Sequence, residues 1–208
     1  MDPGSVHTLG AVIPARQTRS LPAGAAAALD IARWLAPTDA VDESVLDRCV
    51  GPVLDVGCGP GRFVSALGFR GIACLGVDIS ETAIALARGQ GFPALLRSVF
   101  GALPGEGRWP TVLLMDGNIG IGGDPLRLLE RIGRLLAPRG AVIVEITAPD
   151  GVDDVLEVCF TDNGAQLGPS FAWAAVGRSA VARYAARAGY AVAEGWSAGG
   201  RTFLVLDR

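Results

Sequence analysis

A short apolar segment that runs directly into three closely spaced glycines is the feature that most restricts the fold of this chain. Residues 53–56 read Val-Leu-Asp-Val, and Gly57, Gly59 and Gly61 follow at alternate positions. An apolar run ended by glycines and followed by a helical pattern predicts a buried strand, a tight turn and a helix. Because glycine has no Cβ, such a turn lets the backbone approach a ligand closely. The segment therefore predicts a ligand-binding strand–loop–helix unit.

Strands and helices continue to alternate after this unit. Further strands are predicted at residues 72–77, 94–99, 111–115 and 141–146. The intervening helices are predicted over residues 62–69, from an N-cap at Ser80 to Arg88, and over 125–136 after an N-cap at Asp124. Such alternation indicates βαβ units and a mostly parallel sheet. We therefore predict an α/β fold with a doubly wound, Rossmann-like sheet.

The flanking regions complete a single predicted domain over residues 1–208. Residues 1–22 form an irregular arm, and residues 23–50 form a helical lead-in with helices at 23–36 and 41–50. The cofactor-binding core covers 51–147 and a hairpin insertion covers 148–177, with its turn at 162–164. The last part, 178–208, is predicted as a helix capped by Ser179 and a second hairpin, which supplies a late antiparallel strand.

Composition limits the classes of partner and compartment. The 208 residues carry a formal net charge of −3, which lacks the basic footprint of a nucleic-acid-binding protein. The single histidine, His7, and four cysteines without ligand spacing predict no metal site. The first residues do not resemble a signal peptide, and no apolar run is long enough to span a membrane. We expect a cytoplasmic protein with reduced cysteines.

The acidic residues around the glycine loop indicate the chemistry of the ligand. Asp55 lies two residues before Gly57, where it would repel a dianionic pyrophosphate but favour a cationic amino acid group. The spacing Gly-x-Gly-x-Gly also differs from the Gly-x-Gly-x-x-Gly of dinucleotide-binding loops. Asp78 ends the next predicted strand, where a carboxylate can accept both hydroxyls of a ribose. This combination favours S-adenosylmethionine over NAD.

Residues 53–146 resemble class I S-adenosylmethionine-dependent methyltransferases. The resemblance rests on five segments, namely the glycine loop 55–61, the acidic second-strand segment 76–80, the third and fourth motif positions 95–100 and 109–118, and the turn 135–140 before the fifth strand. It implies donor-binding roles for Asp55, Gly57, Cys58, Gly59, Gly61, Asp78, Ile79, Ser98, Val99 and Asp116.

The resemblance also implies what most of these residues would contact. The glycine loop would line the methionine end of the donor, and Asp55 would organise the loop and the amino group. Asp78 would bind the ribose hydroxyls, and Ile79 would pack on one face of the adenine. Ser98 and Val99 would meet the adenine edge, although the family commonly has an acid where Ser98 stands.

The acceptor side of the predicted site is marked by a second glycine-rich segment, residues 116–124. It follows the fourth predicted strand, and its four glycines let the backbone approach both ligands. The Asp/Asn-Pro-Pro-aromatic tetrapeptide of many nucleobase and protein methyltransferases is absent, which favours a small-molecule acceptor. Asp116 and Asn118 are expected in the active site, with a turn and helix lead-in as the alternative.

Candidates for a general base are few. Glu145, at the end of the fifth predicted strand, is a candidate catalytic residue, with a structural partner for an arginine as the alternative. Tyr184 and His7 are further candidates. An acceptor that ionises easily would need no base, because the donor is already activated and positioning supplies most of the catalysis.

Aromatic residues concentrate in the last third of the chain, at Phe160, Phe171, Trp173 and Trp196. They would either form a lid or wall of the acceptor pocket or fill core between hairpin and sheet. The function predicted overall is S-adenosylmethionine-dependent methylation of a small molecule. The alternatives are an NAD-dependent oxidoreductase and a non-catalytic protein that binds S-adenosylmethionine or S-adenosylhomocysteine.

Overall fold

The computed structural model describes residues 10–16, 31–162 and 165–208. The strands are β1 (Gly10–Arg16), β2 (Val53–Val56), β3 (Cys74–Asp78), β4 (Ala94–Leu96), β5 (Trp109–Leu114), β6 (Leu136–Ile146), β7 (Asp153–Asp162), β8 (Ala165–Val176), β9 (Ala191–Ala198) and β10 (Arg201–Asp207). The α-helices are α1 (Ile31–Leu35), α2 (Ala40–Leu46), α3 (Arg62–Phe69), α4 (Glu81–Gly89), α5 (Pro125–Leu135) and α6 (Arg178–Arg187), with a single 3-10 turn at Asn118–Gly120.

Seven strands form the central sheet, in the order β4-β3-β2-β5-β6-β10-β9. The five strands β2 to β6 are all parallel to one another, and β10 is antiparallel to both β6 and β9. The doubly wound α/β fold with a late antiparallel strand is thereby confirmed. The strand order reverses between β2 and β5, and ligands of such sheets bind at the carboxyl ends of the strands on either side of this reversal.

The elements around the reversal follow from local sequence. All four residues of β2 are buried, as expected for a strand covered on both faces. The side chain of Ser80 caps α4 by accepting the Ala83 N–H, and that of Asp124 caps α5 by accepting the Arg127 N–H. The observed bounds of β2 and α3 equal the predicted ones, whereas β6 begins at Leu136, five residues earlier than predicted.

A second sheet, in the order β1-β7-β8, lies outside the predicted core topology. The predicted hairpin is confirmed by the antiparallel pairing of β7 with β8, although its turn residues 163–164 are outside the described residues. The prediction of an irregular arm was wrong for residues 10–16, because they form β1 and pair with β7. The remainder of the arm and residues 23–30 of the first predicted helix lie outside the described residues.

One predicted helix cap was also wrong. The N-cap of α6 is Gly177, and Ser179 lies in the first turn of the helix. The carboxylate of Asp150 accepts hydrogen bonds from the N–H of Ser179 at 2.9 Å and from its hydroxyl at 3.0 Å. The carboxylate of Asp150, which lies between β6 and β7, therefore takes the capping role that the sequence suggested for Ser179. Among the helices that the structure describes, none combines the length and apolar character needed to cross a bilayer.

Candidate active site

The glycine loop lies at the carboxyl end of β2, beside the reversal of strand order. Gly57, Gly59 and Gly61 have φ values of 73°, 54° and 94°, in the left-handed region that favours glycine. The N–H groups of Gly57 and Cys58 donate to the carbonyl of Val77 at 2.8 and 3.1 Å, which holds the loop against β3. The left-handed backbone bends the loop at these three positions, and the space beside it is open at Gly59, where a Cβ would meet nothing within 4 Å.

Asn118 packs directly against this loop. Its Nδ2 donates to the carbonyls of Val56 at 2.9 Å and Gly57 at 3.0 Å. A Cβ on Gly57 would lie 2.5 Å from the same nitrogen, so only glycine fits there. The structure thus brings the predicted residue Asn118 to the glycine loop, where its amide donates to two backbone carbonyls.

Asp78 lies at the end of β3, in direct contact with the loop. Its Oδ2 accepts the Gly59 N–H at 2.9 Å and its Oδ1 accepts the Ser80 N–H at 2.8 Å. The side chain of the adjacent Ile79 is 69% exposed, which leaves an apolar surface beside the carboxylate. These two predicted residues therefore present a fixed acceptor group and a flat apolar contact on the same side of the crevice.

The two residues predicted at the adenine edge differ in their surroundings. Ser98 is exposed, and its hydroxyl accepts the Phe100 N–H at 3.3 Å. The side chain of Val99 packs into the core, and its carbonyl accepts the Nε–H of Arg131 at 2.8 Å. Of the two side chains, only that of Ser98 faces outward from the segment after β4.

Asp55 is a buried acid directly beneath the loop. Its residue surface is 2% exposed, and its carboxylate makes no hydrogen bond to the described part of the chain. Burial raises the pKa of Asp55 to about 7, the nearby Arg62 opposes this shift, and the charges of Asp116 and Asp78 add to it. A cationic group placed beside Asp55 would stabilise its charged form.

Asp116 follows β5 and faces the crevice from the other side of the reversal. It has a φ of 53°, and its side chain is 19% exposed. Both carboxylate oxygens accept from Nη2 of Arg62, at 2.9 and 3.2 Å, and its own N–H donates to Glu145 at 2.9 Å. Burial raises the pKa of Asp116, and the Arg62 charge opposes this shift.

Glu145 is buried at the end of β6 and is fully engaged. Its two oxygens accept from Nε and Nη2 of Arg201, at 2.7 and 2.8 Å, and one of them also accepts the Asp116 N–H. This pairing favours the role of an ion-pair partner over that of a general base. The hydroxyl of Tyr184, on α6, donates to Asp153 of β7 at 2.9 Å. His7 lies outside the described residues.

Four charged residues near the site were not identified from the sequence, namely Arg33, Asp42, Arg62 and Arg201. Arg62 forms an ion pair with the buried Asp42, and Arg201 reaches the same carboxylate at 2.7 Å. Arg33 lies 3.3 Å from Asp42, 3.7 Å from Asp116 and 3.6 Å from Glu145. With Asp116 and Glu145, these four form the site network. One signal was present, because an arginine at the first helical position after the glycine loop is unfavourable for the helix.

The second glycine-rich segment lies against the β7–β8 hairpin. A Cβ on Gly120 would come within 2.2 Å of the Ala174 carbonyl and 2.7 Å of Nε1 of Trp173. A Cβ on Gly123 would lie 2.8 Å from that of Ala172, and Ile121 forms an antiparallel bridge with Trp173. Close packing of the hairpin accounts for these glycines, and it makes β8 a wall beside the end of β5.

The grouped aromatic residues separate in space. Phe171 and Trp173 form an edge-to-face pair on β8, with ring centroids 6.3 Å apart. Trp196 instead stacks on Phe203 at 4.9 Å and donates from Nε1 to Ser44 at 3.0 Å, away from the hairpin. The side chain of Phe160 is outside the described residues.

Comparisons with known proteins agree on the fold. A family model described as a methyltransferase domain matches residues 31–194. A search of curated proteins gives no match to the chain. Among solved structures, an S-adenosylmethionine-dependent methyltransferase from Bacteroides fragilis, in complex with S-adenosyl-L-homocysteine, is 19% identical, with a TM-score of 0.73 over 94% of this chain and 86% of that chain.

Two further structures are similar over most of their length. One is CalS10, an amino pentose methyltransferase from Micromonospora echinaspora, which is 21% identical, with a TM-score of 0.61 over 82% of this chain and 92% of that one. The other is the 1,6-didemethyltoxoflavin-N1-methyltransferase from Burkholderia thailandensis, which is 18% identical, with a TM-score of 0.58 over 75% of this chain and 70% of that one.

Proposed function

Since this chain belongs to the class I S-adenosylmethionine-dependent methyltransferases, we propose that it transfers the donor's methyl group to a small-molecule acceptor. The observation that carries this proposal is the buried Asp55 beneath a glycine loop that lies beside the reversal of strand order, with the carboxylate of Asp78 hydrogen-bonded to the same loop. The similar structures named above include methyltransferases of an amino pentose and of 1,6-didemethyltoxoflavin, and both of these acceptors are small molecules.

The residues of the crevice fit this donor. Asp55 offers a buried carboxylate to an ammonium group, and Gly59, where a Cβ would meet nothing within 4 Å, leaves space for the methionine end. Gly57 and Gly61 shape the loop beside it through their left-handed backbone. Asp78 offers its carboxylate to the ribose hydroxyls, and Ile79 offers an apolar face to the adenine. The remaining proposed donor contacts are Cys58, Ser98, Val99 and Asp116.

Catalysis in the proposed reaction comes mainly from positioning. S-adenosylmethionine supplies a methyl group already activated on a sulfonium, so the protein has to align the acceptor and neutralise charge. Asp116 is fixed at the end of β5, where its partly exposed carboxylate faces the acceptor side of the crevice. Asn118 holds the donor loop, and Glu145 holds Asp116 through its backbone N–H.

The proposed acceptor pocket lies between the end of β5 and the wall formed by β8. The edge-to-face pair of Phe171 and Trp173 supplies an apolar surface there, and the Gly120 backbone brings the wall close to the donor loop. The similar structures that methylate an amino pentose and 1,6-didemethyltoxoflavin support a compact acceptor over a protein or nucleic-acid strand. The chain's net charge of −3 also argues against a nucleic-acid acceptor.

Calorimetric titration of the purified chain tests the donor assignment. We expect S-adenosylmethionine and S-adenosylhomocysteine to bind, and NAD to give no heat of binding. Tight binding of NAD without binding of S-adenosylhomocysteine would overturn the proposal. Methyl transfer is then followed by mass spectrometry with a panel of amino sugars and heteroaromatic amines. A chain that binds the donor but methylates no compound in a broad panel would support a non-catalytic role.

We also propose that the enzyme acts in the cytoplasm. The four cysteines, Cys49, Cys58, Cys74 and Cys159, are thiols and not disulfides in the described part of the chain, which fits a reducing compartment. Burial raises the pKa of Cys49 to about 12 and that of Cys74 to about 11, so both thiols are protonated at neutral pH. Fractionation of cells that produce the full-length protein would test this location.

A further inference from the structure

The charged groups behind the glycine loop support an inference that rests on the proposed function and extends it. We propose that Arg62 is a positioning residue of the methyl-transfer site, whose guanidinium fixes the Asp116 carboxylate and supplies the positive charge that Asp116 and Asp55 share before the donor binds. Arg62 lies outside the donor-contact positions. It would act on the reaction through the two acids that flank the crevice.

The guanidinium of Arg62 connects the two sides of the reversal in strand order. Its Nη2 donates to both oxygens of Asp116 after β5, while its Nη1 is paired with Asp42 of α2. Asp55, on the intervening strand β2, is close enough for the charge of Arg62 to act on it. One cation therefore serves three carboxylates that come from three different elements.

The position of Arg62 argues that its charge is needed. It is the first residue of α3, where the helix dipole disfavours a cation, and its side chain is only 4% exposed. Burying a guanidinium is costly unless carboxylates compensate for the lost water. A well-packed apolar side chain would serve the core of α3 equally well, so the arginine is explained by the acids around it rather than by the helix.

The surroundings of Arg62 determine what its removal would do. Charged and titratable groups surround Arg62 and the acids that it contacts, and they come from every neighbouring element. The acids are Asp42 of α2, Asp55 of β2, Asp78 of β3, Asp116 after β5 and Glu145 of β6. The other cations are Arg33 of α1 and Arg201 of β10, and the thiols are Cys49 after α2, Cys58 of the loop and Cys74 of β3. The thiols stay neutral because their pKa values are raised.

Arg33 and Arg201 pair mainly with Asp42 and Glu145, and neither guanidinium lies closer than 3.7 Å to Asp116. Loss of Arg62 would therefore leave the buried Asp55 and the partly exposed Asp116 without the cation that acts most strongly on both. Ionisation of both would become harder. A donor whose ammonium requires an ionised Asp55 would then bind only at higher pH.

The test is the pH dependence of S-adenosylhomocysteine binding, measured by calorimetry from pH 5.5 to 8.5 on the full chain. We expect Arg62→Met to move the midpoint of the affinity profile upward by about one pH unit, so that affinity at pH 7 falls about fivefold and the loss shrinks at pH 8.5. Arg62→Lys, which keeps the charge, should retain the wild-type midpoint. Asp116→Asn added to Arg62→Met should move the midpoint back.

Arg70→Met is the matched control. Arg70 follows α3 and pairs with Glu43 and Asp47 at α2, so its loss removes an α2–α3 ion pair without touching Asp55 or Asp116. The affinity midpoint of Arg70→Met should equal that of the wild type.

A uniform loss of affinity at every pH in Arg62→Met, or no loss at all, would overturn the positioning role. If Arg62→Met fails to fold, Arg62→Gln replaces it. An upward shift of the affinity midpoint in Arg62→Gln that is absent from Arg62→Lys would then support the positioning role, and no such shift would overturn it. Failure of the wild type to bind at any pH would instead refute the proposed function.

Discussion

The carboxyl group of Asp55 sets the expected pH dependence of donor binding at the level of a single residue. Its pKa of about 7 in the free protein means that the acid is largely protonated below neutral pH. The donor's ammonium stabilises the charged form, so binding below pH 7 must release a proton. Affinity for S-adenosylhomocysteine should therefore fall, by up to about tenfold per pH unit below 7, and level off above it.

Asp55→Asn separates this effect from other titrations. The amide has about the same size but cannot ionise, so its affinity should be lower than that of the wild type at pH 8. Between pH 6 and 8 the profile of the variant should be nearly flat. A variant profile as steep as the wild-type one would place the titrating group elsewhere.

Asp78 allows a second prediction, because its carboxylate has a fixed position at the end of β3. Asp78→Ala should weaken donor affinity by about 1–3 kcal/mol through the loss of charge-assisted hydrogen bonds to the ribose. Asp124→Ala is the control, since the Asp124 carboxylate likewise accepts a backbone N–H, and its loss should cost about 1 kcal/mol of stability without changing affinity. Calorimetry and thermal unfolding of both variants decide between a ligand role and a purely structural one.

Individual residues also show how far the sequence could predict the site. Asp55, Asp78 and the three glycines lie within one local motif, so their spacing alone brought them together. Asp42 and Arg201 are separated by 159 residues, and they meet only because α2 and β10 pack on the same end of the sheet. Contacts of that kind leave no periodic signal. Of the four network residues that the sequence missed, only Arg62 stood beside a recognised motif.

At the scale of elements, the docking of β8 on the second glycine-rich segment gives a prediction about stability. A Cβ on Gly120 would lie 2.2 Å from a backbone carbonyl of β8, which cannot move without displacing the strand. Gly120→Ala should therefore lower the free energy of unfolding by about 2–3 kcal/mol. Chemical denaturation of the variant measures this change.

Gly68 is the matched control for that substitution. It lies in α3, is exposed, and a Cβ there would meet nothing within 4 Å. Gly68→Ala should stabilise the protein by about 0.5–1 kcal/mol, because alanine loses less backbone entropy in a helix. Equal effects of the two substitutions would contradict the close packing of β8 on Gly120.

The elements that local sequence determines were predicted well, and those that depend on distant pairing were not. The bounds of β2 follow from an apolar run that ends at the glycines of the loop. Those of α3 follow from a helical period that ends at an exposed turn. The strand β1 has no such pattern, and it forms because β7, more than 130 residues away, supplies the pairing edge. The early start of β6 at Leu136 likewise depends on a partner, since Trp109 of β5 pairs with it.

For the whole molecule, the buried acid that serves donor binding should reduce the stability of the free protein. The pKa of Asp55 is about 7 in the folded state and about 4 in an unfolded chain. The unfolded state therefore releases this proton first, and the free energy of unfolding should decrease as pH rises from about 4 to about 7, then stay constant. Asp42, whose pKa is lowered, acts in the opposite sense and only as pH falls below about 4.

Urea unfolding of wild type and Asp55→Asn at pH 5 and pH 8 isolates this contribution from that of Asp116. At pH 5 the acid of the folded wild type is neutral, like the amide, so the two proteins differ only in local packing and in the ionisation of Asp55 in the unfolded chain. At pH 8 the folded wild type carries a buried charge. The free energy of unfolding of the variant minus that of the wild type should therefore be about 2–4 kcal/mol larger at pH 8 than at pH 5. Saturating S-adenosylhomocysteine should stabilise the wild type more than the variant at pH 8, because only the wild type offers the ammonium a carboxylate. The same difference between the proteins at both pH values would mean that Asp55 is already ionised when the crevice is free, and that another group stabilises its charge.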